Sequence, residues 1–268
     1  MKRRDFIATS ASAALLAMFE AHTMLAAGTL KTASKVKSPL INSLQLLTTS
    51  QISELKNFYE KVLGLPVLAA NDQSLSIQAG KSSITFIKTD SETRPFYHFA
   101  FNIPENKIEK ALTWQRNRTS VVHPNPTGPA DAIVNFRHWN AHSIFFLDPA
   151  GNLLEYIARH DLKNGATGEF SVNDILYVSE IGLIVDDVEQ TGLRIQKSLN
   201  LNYYRPSENF IPIGDEYGLL LMIKKGKIWP SNSNQINKVD VFKTSVSISN
   251  STASGWKSTD YPYEILVD

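Results

Sequence analysis

The sequence predicts an α+β fold built from repeated βαβββ modules. Two observations carry this prediction. The order strand, helix, three short strands occurs from residue 41 and returns from residue 177, and both copies leave their helix through matching junctions, Leu63-Gly64-Leu65 and Leu199-Asn200-Leu201. Periods this long mark supersecondary units that complete their core by pairing. A chance succession of helices and strands is the alternative, and it gives no reason for the repeated junction. The composition agrees: 268 residues, 43% hydrophobic and 20% charged, describe a globular chain rather than a disordered one. At about 100–200 residues per domain, that length allows one large or two small domains.

The first 27 residues stand apart. Lys2, Arg3 and Arg4 precede Phe6-Ile7, an Ala-rich apolar stretch follows over residues 8–19, and small residues close it at Leu25-Ala26-Ala27. The apolar part is shorter than the roughly 20 residues that span a bilayer, so an export signal is expected over 1–27, of the twin-arginine type. An N-terminal core helix is the other reading, and it would have to solvate three basic residues. Cleavage after Ala27 removes three of 27 basic and two of 26 acidic residues, leaving 24 of each. The expected product is neutral, exported and periplasmic. Its balanced charge argues against nucleic acid as a partner, and nothing beyond the signal suggests a membrane partner. The absence of Cys excludes disulfides and thiolate chemistry and fits an oxidising compartment.

In the first module residues 41–48 read as a strand. Residues 53–63 read as an amphipathic helix with Leu55, Phe58, Tyr59 and Val62 on one face, stopped by Gly64. Three strands follow over 66–69, 74–79 and 83–88, divided by Asn71-Asp72 and Gly80-Lys81 turns. A middle copy places a strand at 98–103, a helix at 105–116, a Pro-rich insertion at 124–130, and strands at 143–147 and 153–158 around Asp148-Pro149-Ala150-Gly151-Asn152. The third copy places strands at 179–185, 201–205, 209–213 and 218–224 around a helix at 188–199. A truncated fourth copy is expected in 242–248 and 263–267.

These modules, with the stretch Phe145-Phe146-Leu147-Asp148-Pro149-Ala150-Gly151-Asn152-Leu153-Leu154-Glu155, resemble the vicinal oxygen chelate superfamily of glyoxalases, bleomycin resistance proteins and extradiol dioxygenases. The resemblance covers nearly all of the chain after the signal. It implies that modules pair into curved, cup-like mixed sheets. The first two modules are expected to form one glyoxalase-like domain over 38–162. The third and its fragment would form a smaller one over 175–268. The resemblance also implies a divalent ion, Fe, Mn, Ni or Zn, held by side chains from the first and last strands of paired modules. The first-strand equivalents are Ser43, His98 and Glu180. The last-strand equivalents are Thr85, Glu155 and Leu221, with Glu264 in the fragment.

The expected metal ligands are therefore His98 and Glu155, since an imidazole and a carboxylate suit such ions and leave positions open for substrate. Ser43 stands where a second His is expected, with Gln45 two residues along on the same strand face. By resemblance to the extradiol dioxygenases, His138 takes the place of the acid-base His, while Phe145 replaces a Tyr. Ser43, Gln45, Thr85, Trp139 and Phe145 are expected to line the substrate cup.

Each candidate has a plainer reading. His98 lies in the apolar run Phe96-Tyr97-His98-Phe99 and can be a hydrogen-bonded core residue; Glu155 can be a solvated strand edge; His138 can sit on an exposed loop. Glu180 with Glu264 is a candidate second polar pocket, whereas His160 and Asp161 read as surface. Two functions follow: an exported metal-dependent enzyme of the glyoxalase or dioxygenase type acting on a small molecule through its adjacent oxygens, or a metal-free cup that sequesters one.

Overall fold

The computed structural model describes residues 38–122, 132–207, 210–229, 237–249 and 253–268. The export signal with Arg3 and Arg4, and the Pro-rich insertion, lie outside them. The first module is β1 (Leu40–Thr48), α1 (Ile52–Lys56), β2 (Val67–Ala70), β3 (Ser74–Ala79) and β4 (Ser82–Lys88). The second is β5 (His98–Ile103), α2 (Ile108–Arg116), β6 (Val121–Val122), β7 (Val134–Phe136), β8 (Ala141–Leu147) and β9 (Leu153–Arg159). The third is β10 (Tyr177–Val185), α3 (Val188–Leu199), β11 (Phe210–Asp215) and β12 (Gly218–Lys224). After a β13 (Ile228–Trp229) and β14 (Asn237–Lys238) ribbon, the fragment supplies β15 (Thr244–Ser249), β16 (Trp256–Lys257) and β17 (Tyr263–Val267).

The strands assemble into two curved mixed sheets. One runs β16-β17-β15-β1-β4-β3-β2; the other runs β11-β12-β10-β5-β9-β8-β6, with β7 also on β8. The first module is thus joined to the terminal fragment, and the second to the third. This corrects the expectation that the first two modules share a cup. The physical reason lies at the first strand of each module, which pairs in parallel with its own last strand and offers one free edge. β5 gives that edge to β10 in antiparallel register, and β1 gives its edge to β15, so no edge remains for β1 to meet β5.

Two local expectations also change. The helix of the first module widens into a π-helical turn over Asn57–Val62, where the Leu63 amide donates to the Phe58 carbonyl at 3.0 Å. The wider turn rotates the buried face by one residue, so Leu63 is buried and Val62 is only half-buried. The strand expected over 201–205 is reduced to a single bridge, Tyr203 to Ile213, because Arg205 turns the chain with φ +45°. By contrast, α3 spans 188–199 as its periodicity predicts, with the Asp187 side chain accepting from the Gln190 amide and Asn200 ending it in left-handed geometry.

The main core fills the space between sheets and helices, with Leu55, Tyr59, Phe86, Phe99, Phe101, Tyr156, Ile181 and Met222 among its members. Polar ties lock the two sheets across it. The Tyr97 hydroxyl accepts from the Leu47 amide at 3.0 Å and donates to the Lys243 carbonyl at 2.9 Å, while Tyr263 bonds both the amide and the carbonyl of Ile184. Gly80, at φ +57°, lets the Leu176 carbonyl come so close that a Cβ there would lie 2.0 Å from its oxygen. Beyond the core, the two sheets differ. β3 and β4 alternate between buried and half-exposed residues, whereas every residue of β5, β9 and β10 is buried. The second sheet therefore has a covered second face, lined by Ala100, Phe145, Leu153, Ile157, Leu219 and Leu221. This face is the inside of its cup. Among the described residues no helix is long and apolar enough to cross a membrane.

Candidate metal centre

Strand alternation decides which side chains enter the cup. On β9 the apolar residues Leu154, Tyr156 and Ala158 go to the main core, so Leu153, Glu155, Ile157 and Arg159 face the cup. On β5, Phe99, Phe101 and Ile103 go to the core and His98, Ala100 and Asn102 face the cup. On β10, Ile181 and Leu183 go to the core and Glu180 and Gly182 face the cup, following a bulge between Val178 and Glu180.

The Asp-Pro-Ala-Gly-Asn turn fixes where β9 begins. Asp148 accepts from the Asn152 amide and side chain, both at 2.8 Å, and from the Tyr59 hydroxyl at 2.8 Å. Asn152 in turn accepts from the Tyr97 amide at 3.0 Å. Burial pushes the Asp148 carboxyl above its usual range, and these donors oppose the shift. The turn sets Leu153 opposite His98, and thus Glu155 opposite Ala100, with Glu180 on the other side of Ala100.

Three ligating groups converge there. His98 Nε2 lies 3.4 Å from Glu155 Oε2 and 4.0 Å from Glu180 Oε2, and all three side chains are more than 90% buried. They are the one group of three His, Asp or Glu residues among the described residues whose ligand atoms lie within 4.8 Å of one another. His98 Nδ1 sits 3.0 Å from the Leu153 carbonyl, which can only accept, so Nδ1 carries a proton and Nε2 faces the two carboxylates. Two carboxylates meeting at that nitrogen require a cation or protons between them.

The 3.4 Å between His98 and Glu155 suits an ion, and Glu180, at 4.0 Å from His98, lies slightly outside the ideal separation. Ligand bonds of about 2.1 Å in tetrahedral or octahedral geometry separate donor atoms by about 3 to 3.5 Å. Glu155 Oε1 is buried without a partner among the described residues, and Glu180 Oε1 accepts a short hydrogen bond from Arg159 Nη2. Burial, reinforced by the Glu155 carboxylate, pushes the Glu180 carboxyl up to about 7 against the opposing pull of Arg159 and His98. The residues present thus fit a divalent ion, with one His and two carboxylates as ligands.

The remaining expected site residues separate into two groups. Phe145 lines the cup with its ring centroid 6.3 Å from that of His98, and Trp139 is buried in the same lining. Ser43, Gln45 and Thr85 lie on the other sheet, where Gln45 pairs with Thr85 and Thr85 Oγ1 bonds Ser76 Oγ at 2.8 Å. They move away from the site with the module pairing. His138 is exposed, because the single 3-10 turn Arg137–Trp139 turns only Trp139 inward; the His138 carbonyl accepts from Arg205. Glu264 is on the first sheet, half-exposed and 3.5 Å from Lys257, far from any pocket with Glu180. Asp161 is exposed as expected, but His160 is half-buried between His142 and Glu105.

Sequence reasoning missed Glu180 as the third member and did not single out Arg159. Both signals were present. Glu180 occupies the first-strand position equivalent to His98, and Arg159 follows Glu155 by four residues on one strand face.

Residues 40–156 match the family model for the Glyoxalase/Bleomycin resistance protein/Dioxygenase superfamily. This part of the chain belongs to that superfamily. A solved structure from Bacillus subtilis subsp. subtilis str. 168, described as a "putative dioxygenase", is 15% identical with a TM-score of 0.53, over 79% of this chain and 70% of that one. Glyoxalase I from Zea mays is 15% identical with a TM-score of 0.48, over 80% of this chain and 75% of that one. Lactoylglutathione lyase from Agrobacterium tumefaciens is 17% identical with a TM-score of 0.35, over 44% of this chain and 91% of that one. At such identities the likeness is one of fold. No curated protein sequence matches the chain.

Proposed function

We propose that this superfamily member is an exported, metal-dependent enzyme of the glyoxalase or extradiol dioxygenase type, acting on a small molecule that chelates the metal through adjacent oxygens. The convergence of His98 Nε2, Glu155 Oε2 and Glu180 Oε2 in the covered cup carries this reading. A divalent ion there would polarise the bound oxygens of the substrate. The chain's own residues set the stage. Leu153 fixes the His98 tautomer, Arg159 orients Glu180, and Phe145 keeps water from one side of the imidazole. Glu155 Oε1, buried without a partner among the described residues, is the free oxygen placed to receive a proton from a bound substrate. The Arg-Arg-x-Phe-Ile start supports export in the folded, metal-loaded state.

A second reading, a metal-free cup that sequesters a small molecule, is favoured by the Arg159 guanidinium, which already neutralises one of the two carboxylates. Elemental analysis of the exported protein separates the two. Near-stoichiometric Fe, Mn, Ni or Zn, lost in His98→Ala and Glu155→Ala, supports the enzyme and directs substrate screening to catechols and α-keto aldehydes. No uptake by wild type after soaking with each ion refutes it and leaves the binding cup.

A further inference from the structure

We infer that the floor of the cup beside the metal centre is a carboxylate-binding subsite centred on Arg159, so that the substrate is an anion whose carboxylate lies next to its chelating oxygen. The inference rests on the metal-centre reading and narrows its substrate class.

The argument begins with buried donors. Arg159 ends β9, is 1% exposed and gives only Nη2 to Glu180; its Nε and Nη1 are buried with no partner among the described residues. A guanidinium carries five N–H groups and no acceptor, so oxygens from beyond the described residues are needed to complete it. Two more side chains show the same deficit. Asn102, fully buried on the cup face of β5, has neither side-chain oxygen nor nitrogen bonded among the described residues, and the buried Ser143 hydroxyl on β8 is likewise unbonded there.

Register places these groups together. Asn102 on β5 and Ser143 on β8 both pair with Ile157, one on each side of β9, and Arg159 is the next cup-facing residue of that strand. Ala141 and Phe145, which flank Ser143 at two-residue spacing, belong to the cup lining, so Ser143 faces the cup as well. A buried donor left unpaired is costly. Three such side chains within an otherwise apolar lining of Ala100, Leu153 and Ile157 describe a polar floor awaiting an acceptor.

Charge selects the acceptor. With a divalent ion on Glu155, Glu180 and a neutral His98, the carboxylates balance the ion and Arg159 is left as one uncompensated buried positive charge. Trp139 and Tyr204, with ring centroids 5.4 and 6.0 Å from the guanidinium, stabilise it but accept no full hydrogen bond. One carboxylate neutralises the site and supplies strong acceptors for the remaining Arg159 N–H groups, with Asn102 and Ser143 as polar neighbours on either side.

The test uses full-length protein loaded with Mn²⁺, with metal content measured first, and titration calorimetry with phenylglyoxylate and its neutral amide. These compounds share shape and adjacent oxygens and differ in charge. Wild type is expected to bind the acid at least tenfold more tightly than the amide, with the preference lost in Arg159→Met and partly kept in Arg159→Lys, each variant being compared at the same metal occupancy, set by excess Mn²⁺ and measured. Equal affinities in wild type, binding of neither compound at millimolar concentration, or a preference that survives in Arg159→Met overturns the inference. The wild-type pair decides the matter even if the variants do not fold. If wild type takes up no metal, the metal reading fails on its own. An acid preference abolished by Arg159→Met then still supports the arginine subsite, and indifference to charge refutes it.

Discussion

Glu180→Gln is expected to stabilise the metal-free protein while abolishing its response to metal. In the folded, metal-free chain the Glu180 carboxyl titrates near 7, against 4.5 for the free side chain, because burial and Glu155 outweigh Arg159. Raising the folded-state value means that the native protein binds the extra proton between pH 4.5 and 7. The stabilisation is therefore fully present below about pH 4.5 and is lost as pH rises through 7. A shift of roughly 2.5 units corresponds to about 3 kcal/mol. Glutamine mimics the protonated acid at every pH, so at pH 8 the metal-free variant should exceed wild type by up to about 3 kcal/mol, or roughly 6–12 °C in Tm for a chain of this size. At pH 4.5 the two should converge. The assay is urea denaturation of chelator-treated wild type and Glu180→Gln at pH 4.5, 6 and 8, repeated with Mn²⁺. Metal at a thousandfold excess over Kd should stabilise wild type by about 4 kcal/mol and leave the variant nearly unchanged. A metal-free variant less stable than wild type at pH 8, or one stabilised equally by Mn²⁺, would refute the reasoning.

The other predictions concern the framework. Tyr263→Phe removes both hydrogen bonds to Ile184 at the join between the sheets and should cost about 1–3 kcal/mol in denaturant unfolding. Tyr59→Phe deletes the buried bond to Asp148 with a similar loss, and metal uptake by inductively coupled plasma analysis should stay stoichiometric, since the turn keeps its Asn152 bonds. Gly80→Ala meets the Leu176 carbonyl in a left-handed conformation, so a loss above about 3 kcal/mol or insoluble expression is expected. Ser43→His with Thr85→Glu and Ser245→Glu, made in a His98→Ala background, should create a weak metal site on the first sheet, measurable by equilibrium dialysis with Zn²⁺.

Much of the fold was legible because local patterns report local structure. The alternation Ser74-Leu-Ser-Ile-Gln-Ala marks a strand with one wet face, and the helix of 188–199 announces both its ends. Module pairing was not legible in the same way, since hydrophobic period and turn residues say nothing about which free edge a strand will meet. One signal did bear on it. Apolar residues on both alternating faces of β5, β9 and β10, interrupted by the polar residues of the site, distinguish strands covered on both faces from the alternating β3 and β4, and grouping by that difference joins the second module to the third. His98 and Glu155 could be placed because they belong to one module. Glu180 needed the partner module, and His138 needed the direction of a three-residue turn, which motif spacing does not contain.

The two sheets show what the ligand positions require beyond backbone geometry. In the second sheet His98 lies opposite Leu153, Ala100 opposite Glu155, and Glu180 opposite Ala100. In the first, Ser43 lies opposite Ser83, Gln45 opposite Thr85, and Ser245 opposite Gln45. The register is the same, although the bulge lies on β1 in one joint and on β10, which is not its counterpart, in the other. Three hydroxyl side chains thus stand where the imidazole and two carboxylates stand. All three hydroxyl residues are half-buried, whereas His98, Glu155 and Glu180 are buried. Neutral hydroxyls are poor ligands for a divalent ion, but they tolerate water and need no counter-charge. Carboxylates on a covered face repel one another strongly at low effective dielectric, and a proton or a cation relieves that repulsion. Arg159 relieves part of it through Glu180, leaving Glu155 and His98 facing each other across 3.4 Å. The same covering that makes the second cup unfavourable for charged ligands alone is what gives it its affinity for an ion.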